Sequence, residues 1–288
     1  MNGDQLLVIQ VNKLIFRIIA IYFLLYLYSG CSGYRMTTTA REIRDQLPQI
    51  ETQKKFLLEG TVYQTPAYIF ESDQEGPAVL VIGGTHGDEP AGYEAAFRLT
   101  DRFLKNPIIR GTFVIIPEAN KQSIIHYSRR ITVPGGENIE RGNLNRCYPG
   151  NPEGLPMEQL AFQIQRIIES LNISVLIDLH EALYFHLEIE ETAAKKGLGQ
   201  TLIYYPNEEG SWLVINMLDQ INSEIEDSYK KFSALEQPIP HSAAWWAGNT
   251  LDIAAFTFET SRKNDLKERI YYHLRLVEIV LKTEGMIP

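Results

Sequence analysis

The sequence predicts an α/β fold, a three-layer α/β/α domain around a central, mostly parallel or mixed sheet, with its site at the strand ends. Two observations carry the fold. Continuous apolar runs, AVLVIGG (78–84), SVLIDLH (174–180) and AAFTFE (254–259), read as strands buried on both faces. Stretches with apolar residues at helical spacing alternate with them, which argues for a sheet covered on both sides. The site follows from a third observation: His86, Glu89, His180 and Glu259 all stand at or just beyond the ends of these runs, where open α/β sheets carry their chemistry.

Taken in order, FLLEGTVYQ (56–64) and AYIF (67–70) alternate as two exposed strands, and AVLVIGG follows as a buried one. Pro90 suits the first helical position, where its missing N–H is no loss, so a helix is expected from about 90 to 104. TFVIIPEAN is a further strand. The Gly-, Asn- and Arg-rich stretch from about 128 to 154 is long for a structureless connection, which favours a functional loop. MEQLAFQIQRIIESL reads as a helix, SVLIDLH as a strand, TLIYY as a strand and SWLVINMLDQINSEI as a helix. After AAFTFE, a closing helix places Leu266, Ile270, Leu274, Val277 and Leu281 on one face.

With 288 residues, 44% hydrophobic and 22% charged, the chain can bury a full core, and one catalytic domain over 56–288 is expected. A net charge of -9 leaves no basic stripe for a phosphate backbone, so nucleic acid is excluded as a partner. Residues 1–31 read as a targeting segment: Lys13 and Arg17 precede an apolar run from Ile18 to Tyr28, too short for a membrane span, and Ser29, Gly30 and Cys31 follow. LYSGC resembles the bacterial lipoprotein signal, with the favoured leucine one place early at Leu27. That resemblance implies lipidation of Cys31 and an exported, membrane-anchored protein. An uncleaved anchor is the alternative, and a start at Met36 would make the enzyme cytoplasmic. Residues 32–55 are expected to be a polar leader. Cys147 then lacks a disulfide partner and reads as a packed small residue.

His86 and Glu89 lie three apart in a Gly-rich turn between strand and helix, so both side chains can reach one point. Pro90 biases Glu89 away from helical geometry. Taken alone, the pair reads equally well as an acidic helix start beside a solvent-exposed histidine. His180 alters that balance, because a histidine ending an apolar strand is unfavourable unless something uses its imidazole. Asp178, two residues earlier, faces the same side and can orient a neighbour. Two histidines and a carboxylate make three corners of a zinc tetrahedron whose fourth stays open, and one further carboxylate, Glu259, would make a hydrolase.

Four segments, HGDEPAG, GNLNRCYPG, DLHEA and FTFET, resemble in order those of the zinc carboxypeptidase superfamily and, within it, the succinylglutamate desuccinylase/aspartoacylase branch. The resemblance spans about Val79 to Ser261. It implies that His86, Glu89 and His180 bind one zinc ion, that Glu259 is the catalytic general base, and that Asn145 and Arg146 grip a substrate carboxylate. It also implies an upstream arginine that polarises the scissile carbonyl. Arg129, Arg130 and Arg141 compete for this role, and Arg130 is the choice. In one departure, Asn143 stands where the branch has an aspartate supporting a zinc histidine, so either metal affinity falls or Asp178 compensates.

The expected activity is zinc-dependent hydrolysis of an amide in a small molecule or short peptide with a free carboxylate, of deacylase type. The alternatives are an exported carboxypeptidase or amidase acting on cell-wall peptides and a non-catalytic zinc-binding lipoprotein. Trp245 and Trp246 could line a side-chain pocket or simply pack in the core. His186, Glu188 and Glu190 read as a solvated strand face.

Overall fold

The computed structural model describes residues 50–188 and 197–288. The expected signal segment, Cys31, Met36 and Glu190 lie outside the described residues. Eight strands form one mixed sheet: β1 (Ile50–Leu57), β2 (Thr65–Ser72), β3 (Ala78–Ile82), β4 (Thr112–Ile116), β5 (Val175–Ala182), β6 (Thr201–Tyr204), β7 (Ser233–Glu236) and β8 (Ala254–Ser261), in the order β1-β2-β4-β3-β5-β8-β6-β7. The centre, β4-β3-β5-β8, is parallel. The β1–β2, β2–β4 and β6–β8 pairs are antiparallel, and β7 runs parallel to β6.

Among the described residues six α-helices cover the sheet: α1 (Pro90–Lys105), α2 (Lys121–Ile125), α3 (Pro156–Ser170), α4 (Glu208–Ser223), α5 (Ala243–Leu251) and α6 (Leu266–Thr283). Strand alternation divides the core in two. Val79, Val81, Ile177, Leu179, Phe256 and Phe258 pack with α1, α4 and α6, whereas Leu80, Ile82, Leu176 and Ala255 pack with α3 and α5. The three-layer architecture is therefore as the sequence predicts.

Three local differences have physical reasons. β1 starts at Ile50, within the stretch expected to be a leader, because it is an edge strand whose exposed face is polar and whose stability comes from eight residues paired with β2. FLLEGTVYQ is no strand beyond Leu57: Leu58 (φ 49°) and Gly60 (φ 78°) turn the chain back into β2. The stretch from Ala243 to Leu251, part of the expected pocket region, is a helix capped by Ser242, whose side chain accepts a hydrogen bond from the Trp245 N–H. Among the described residues no helix is long and apolar enough to cross a membrane.

Candidate metal centre

The centre forms where β3, β5 and β8 end on the face shared with α3 and α5. Asp178, His180 and Glu259 have the strand parity of Leu176 and Ala255, so all three lie on this face. His180 is paired directly with Glu259 in the β5–β8 register. Such neighbours sit one strand spacing, about 4.8 Å, apart. His86 arrives from β3 through a turn in which Gly84 has φ 72°, a conformation side chains avoid. Gly87 serves a different purpose: a Cβ there would lie 2.0 Å from the Ser123 backbone, so only glycine lets α2 come this close. Glu89 is the residue before α1, with no capping bond from its side chain, which points instead at the two histidines.

His86, Glu89 and His180 are all buried and could together hold a metal ion, with one ligand atom from each lying within 4.8 Å of the others. Nδ1 of His86 is 2.9 Å from Oε1 of Glu89, Nδ1 of His180 is 2.9 Å from Oε2, and the two Nδ1 atoms are 3.1 Å apart. Burial of these side chains removes the exposed-histidine reading of the turn. Burial alone would push the Glu89 carboxyl up, but the two imidazoles outweigh it and hold it well below the usual carboxylate range. Burial lowers His86, against the pull of Glu89. Burial would lower His180 as well, but Asp178 and Glu89 hold it well above an ordinary imidazole.

The donor set fits a zinc ion. Two imidazole nitrogens and the Glu89 carboxylate converge on one point, and Asp178 places a second carboxylate beside them in the interior. A fixed cation would offset that charge. Each histidine is also held from behind. Nε2 of His86 lies 3.0 Å from Oδ1 of Asn143, and Nε2 of His180 lies 2.9 Å from Oδ2 of Asp178, whose Oδ1 accepts from Thr85 Oγ1 at 2.8 Å. The His180–Asp178 pair is close but off the line of a hydrogen bond, since neither of its two facing atoms is satisfied. Asp178 therefore serves His180 and does not compensate for Asn143 at His86.

Glu259 retains some accessible surface, yet its Oε2 is sealed from solvent without a hydrogen-bond partner, and burial pushes its carboxyl up to about 8. Of the three competing arginines, Arg129 reaches the cluster, with Nη1 3.0 Å from Oε1 of Glu89. The preferred Arg130 instead pairs with Glu140, and Arg141 clamps Glu137 and Glu158 at the start of α3. Two adjacent arginines of the same type gave the sequence no means of choosing between them. Arg146 is half-buried, its Nη1 donating only to the Asn145 carbonyl; burial and the nearby Arg129 charge both lower it. Buried Oδ1 of Asn145 has no partner.

Other candidates resolve as structural. Trp246 stacks on Tyr148 within the core, and Trp245 packs against the same cluster. Burial pushes the Cys147 thiol up to about 12, so it is no nucleophile. His186 sits in a turn rather than a strand, with Nδ1 2.9 Å from the Gly197 carbonyl.

Fold and site together define an α/β protein with a buried His–Glu–His centre that could hold a metal. Residues 75–192 match the family profile of the succinylglutamate desuccinylase/aspartoacylase catalytic domain. N-alpha-acetyl-L-2,4-diaminobutyric acid deacetylase of Halomonas elongata is 36% identical over 106 residues, which is 37% of this chain and 29% of that protein. The fold is similar to apo cell shape determinant protein Csd4 of Helicobacter pylori, with TM-score 0.63, 19% identity, and coverage of 82% of this chain and 55% of that one. It is similar also to a succinylglutamate desuccinylase/aspartoacylase of Rhodobacter sphaeroides, with TM-score 0.59, 19% identity, and coverage of 84% and 67%. The chain thus spans less than a third of the curated relative and about half of Csd4.

Proposed function

We propose that this chain is a zinc-dependent hydrolase that cleaves an amide in a carboxylate-bearing substrate, of the deacylase type that acts on N-acyl amino acids. The observation that carries the proposal is the pairing of His180 with Glu259 on adjacent strands. It puts an unpartnered carboxyl oxygen beside a buried metal-ligand set. His86, Glu89 and His180 would hold the ion. When bound, zinc supplies a Lewis acid that polarises a carbonyl and brings the pKa of a water down to about 7.

The remaining work falls to this chain's own side chains. Glu259, as the ionised carboxylate, accepts a proton from the attacking water and delivers it to the departing nitrogen. Arg129 lies against the cluster and supplies positive charge for the oxygen of the scissile carbonyl, replacing Arg130 in that role. Arg146 and Asn145 recognise the substrate carboxylate. Burial and the nearby Arg129 charge lower the proton affinity of Arg146, and a bound anion would relieve that strain.

A second reading, a carboxypeptidase trimming cell-wall peptides, is favoured by the signal-like residues 1–31 and by the likeness to Csd4, described for Helicobacter pylori as a D,L-carboxypeptidase. Purified protein assayed with zinc on N-acetyl, N-succinyl and N-aspartyl amides and on muropeptides separates the two. Release of a free amine from the acylated amino acids supports the deacylase, and turnover of muropeptides alone transfers the assignment to the peptidase. Glu259→Gln should abolish turnover while leaving bound zinc in place. Persistent activity in that variant would remove Glu259 as the proton carrier. Incorporation of a fatty-acid probe at Cys31 tests the proposed lipid anchor and export.

A further inference from the structure

Asn143 occupies a place where a carboxylate would make His86 a better ligand, and the structure places one directly behind it. Nδ2 of Asn143 donates to Oε2 of Glu140 at 2.8 Å, and the other oxygen of Glu140 accepts from Nη1 of Arg130. Glu140 and Asn143 are joined by a 3-10 turn, with Asn143 N–H donating to the Glu140 carbonyl at 3.0 Å. Three-residue spacing stacks the two side chains on one edge.

The direction of the amide is fixed by a group that can act in only one way. Oδ1 of Asn143 accepts the backbone N–H of Asn145 at 3.1 Å, and a backbone N–H is only a donor, so the amide oxygen must face Asn145 and His86. Nε2 of His86, 3.0 Å from that same oxygen, must then carry the proton. Nδ1 is left as a bare lone pair aimed at Glu89 and His180, the tautomer a metal requires. A buried amide alone fixes the tautomer but adds no charge. The Glu140 carboxylate polarises it from the far side, and hydrogen bonds in such a chain reinforce one another.

We propose that Glu140, acting through the Asn143 amide, is a positioning residue for zinc binding: it locks His86 in the Nε2–H form and raises the basicity of Nδ1. This rests on the metal reading above. Loss of a group behind a metal-bound histidine costs about 10- to 100-fold in affinity. The effect here belongs at the low end, because the Glu140 side chain is 40% exposed and partly screened.

The test is zinc affinity of the full chain, measured by competition with a chromophoric chelator. Glu140→Gln should weaken binding about 10-fold. Adding Asn143→Asp to it should restore affinity to within roughly 3-fold, because the charge then bonds His86 directly. Glu137→Gln, which removes an ion pair with Arg141 in the same loop, should change affinity by less than about 2-fold. Wild-type affinity in Glu140→Gln, an equal loss in Glu137→Gln, or failure of the Asn143→Asp rescue would each overturn the inference while leaving the metal reading intact. If instead the unaltered chain binds no zinc, or binds it equally well after His180→Ala, the metal reading falls and the relay with it.

Discussion

Gly92 is the position where one methyl group should disturb the whole centre. It lies in the first turn of α1, packed against β5, and a Cβ placed there would be 2.5 Å from the Leu179 carbonyl oxygen and 3.1 Å from its carbon. An ordinary C···O contact needs about 3.3 Å, so helix and strand would have to part by roughly 0.8 Å. Neither contact atom is the end of a flexible side chain. The two elements carry metal-site residues on either side of the contact: Glu89 just before α1, and His180 next to Leu179. Gly92→Ala gains up to about 1 kcal/mol of helix propensity, whereas overpacking a close contact costs about 1–3 kcal/mol. We expect a net loss of about 1–2 kcal/mol in urea denaturation of the metal-free protein, with zinc affinity down about 10-fold by chelator competition. Gly135→Ala, with nothing within 4 Å of an added Cβ, should be neutral within about 0.5 kcal/mol. A Gly92→Ala protein as stable as the wild type, with unchanged zinc affinity, would refute the claim that this close approach sets the site.

Three further outcomes are expected. At saturating zinc, Arg129→Ala should lower kcat/KM by about 100-fold and Arg130→Ala by less than about 10-fold; the reverse order in steady-state assays would return the role to Arg130. Arg146→Lys should raise KM for carboxylate-bearing substrates far more than it lowers kcat, since a single ammonium replaces a planar fork. An unchanged KM would exclude Arg146 from carboxylate recognition. His273 is buried on α6 beside Thr260, and burial pushes its imidazole down to about 3. The unfolded chain, with an ordinary value near 6.5, therefore binds a proton that the native state refuses between these limits. Stability from the neutral ring is complete above pH 6.5 and falls as pH drops toward 3, by about 1.4 kcal/mol per pH unit. With chelator present, His273→Gln should flatten the stability curve between pH 6.5 and 5 by about 2 kcal/mol in total. Parallel curves for the two proteins would show that His273 is not buried neutral.

The legible elements share one property: burial on both faces leaves a mostly apolar run. That applies to β3, β5 and β8, and through them to His86, His180 and Glu259 at or just past their ends. Exposed elements were harder to read. β1 is polar on its open face, and β7, Ser233–Glu236, alternates half-buried and exposed positions over four residues, too few to establish a period. α2 is only five residues long, yet its backbone is what makes Gly87 necessary. Glu140 could have been noticed as an acid three residues before Asn143, but in a loop rich in Glu, Asn and Arg that spacing singles out nothing.

By itself, the sequence determined the buried strands and the long helices, the three-layer architecture, and which residue types stand at the strand ends. These are local consequences of apolar patterning and turn chemistry. Only the tertiary structure decided which arginine reaches the cluster, that Asp178 serves His180 rather than His86, and that Glu140 stands behind Asn143. Each of those depends on where two side chains point across a loop or between strands. Periodicity assigns a residue to a face of its own element, but it carries no information about what the other elements bring to meet it.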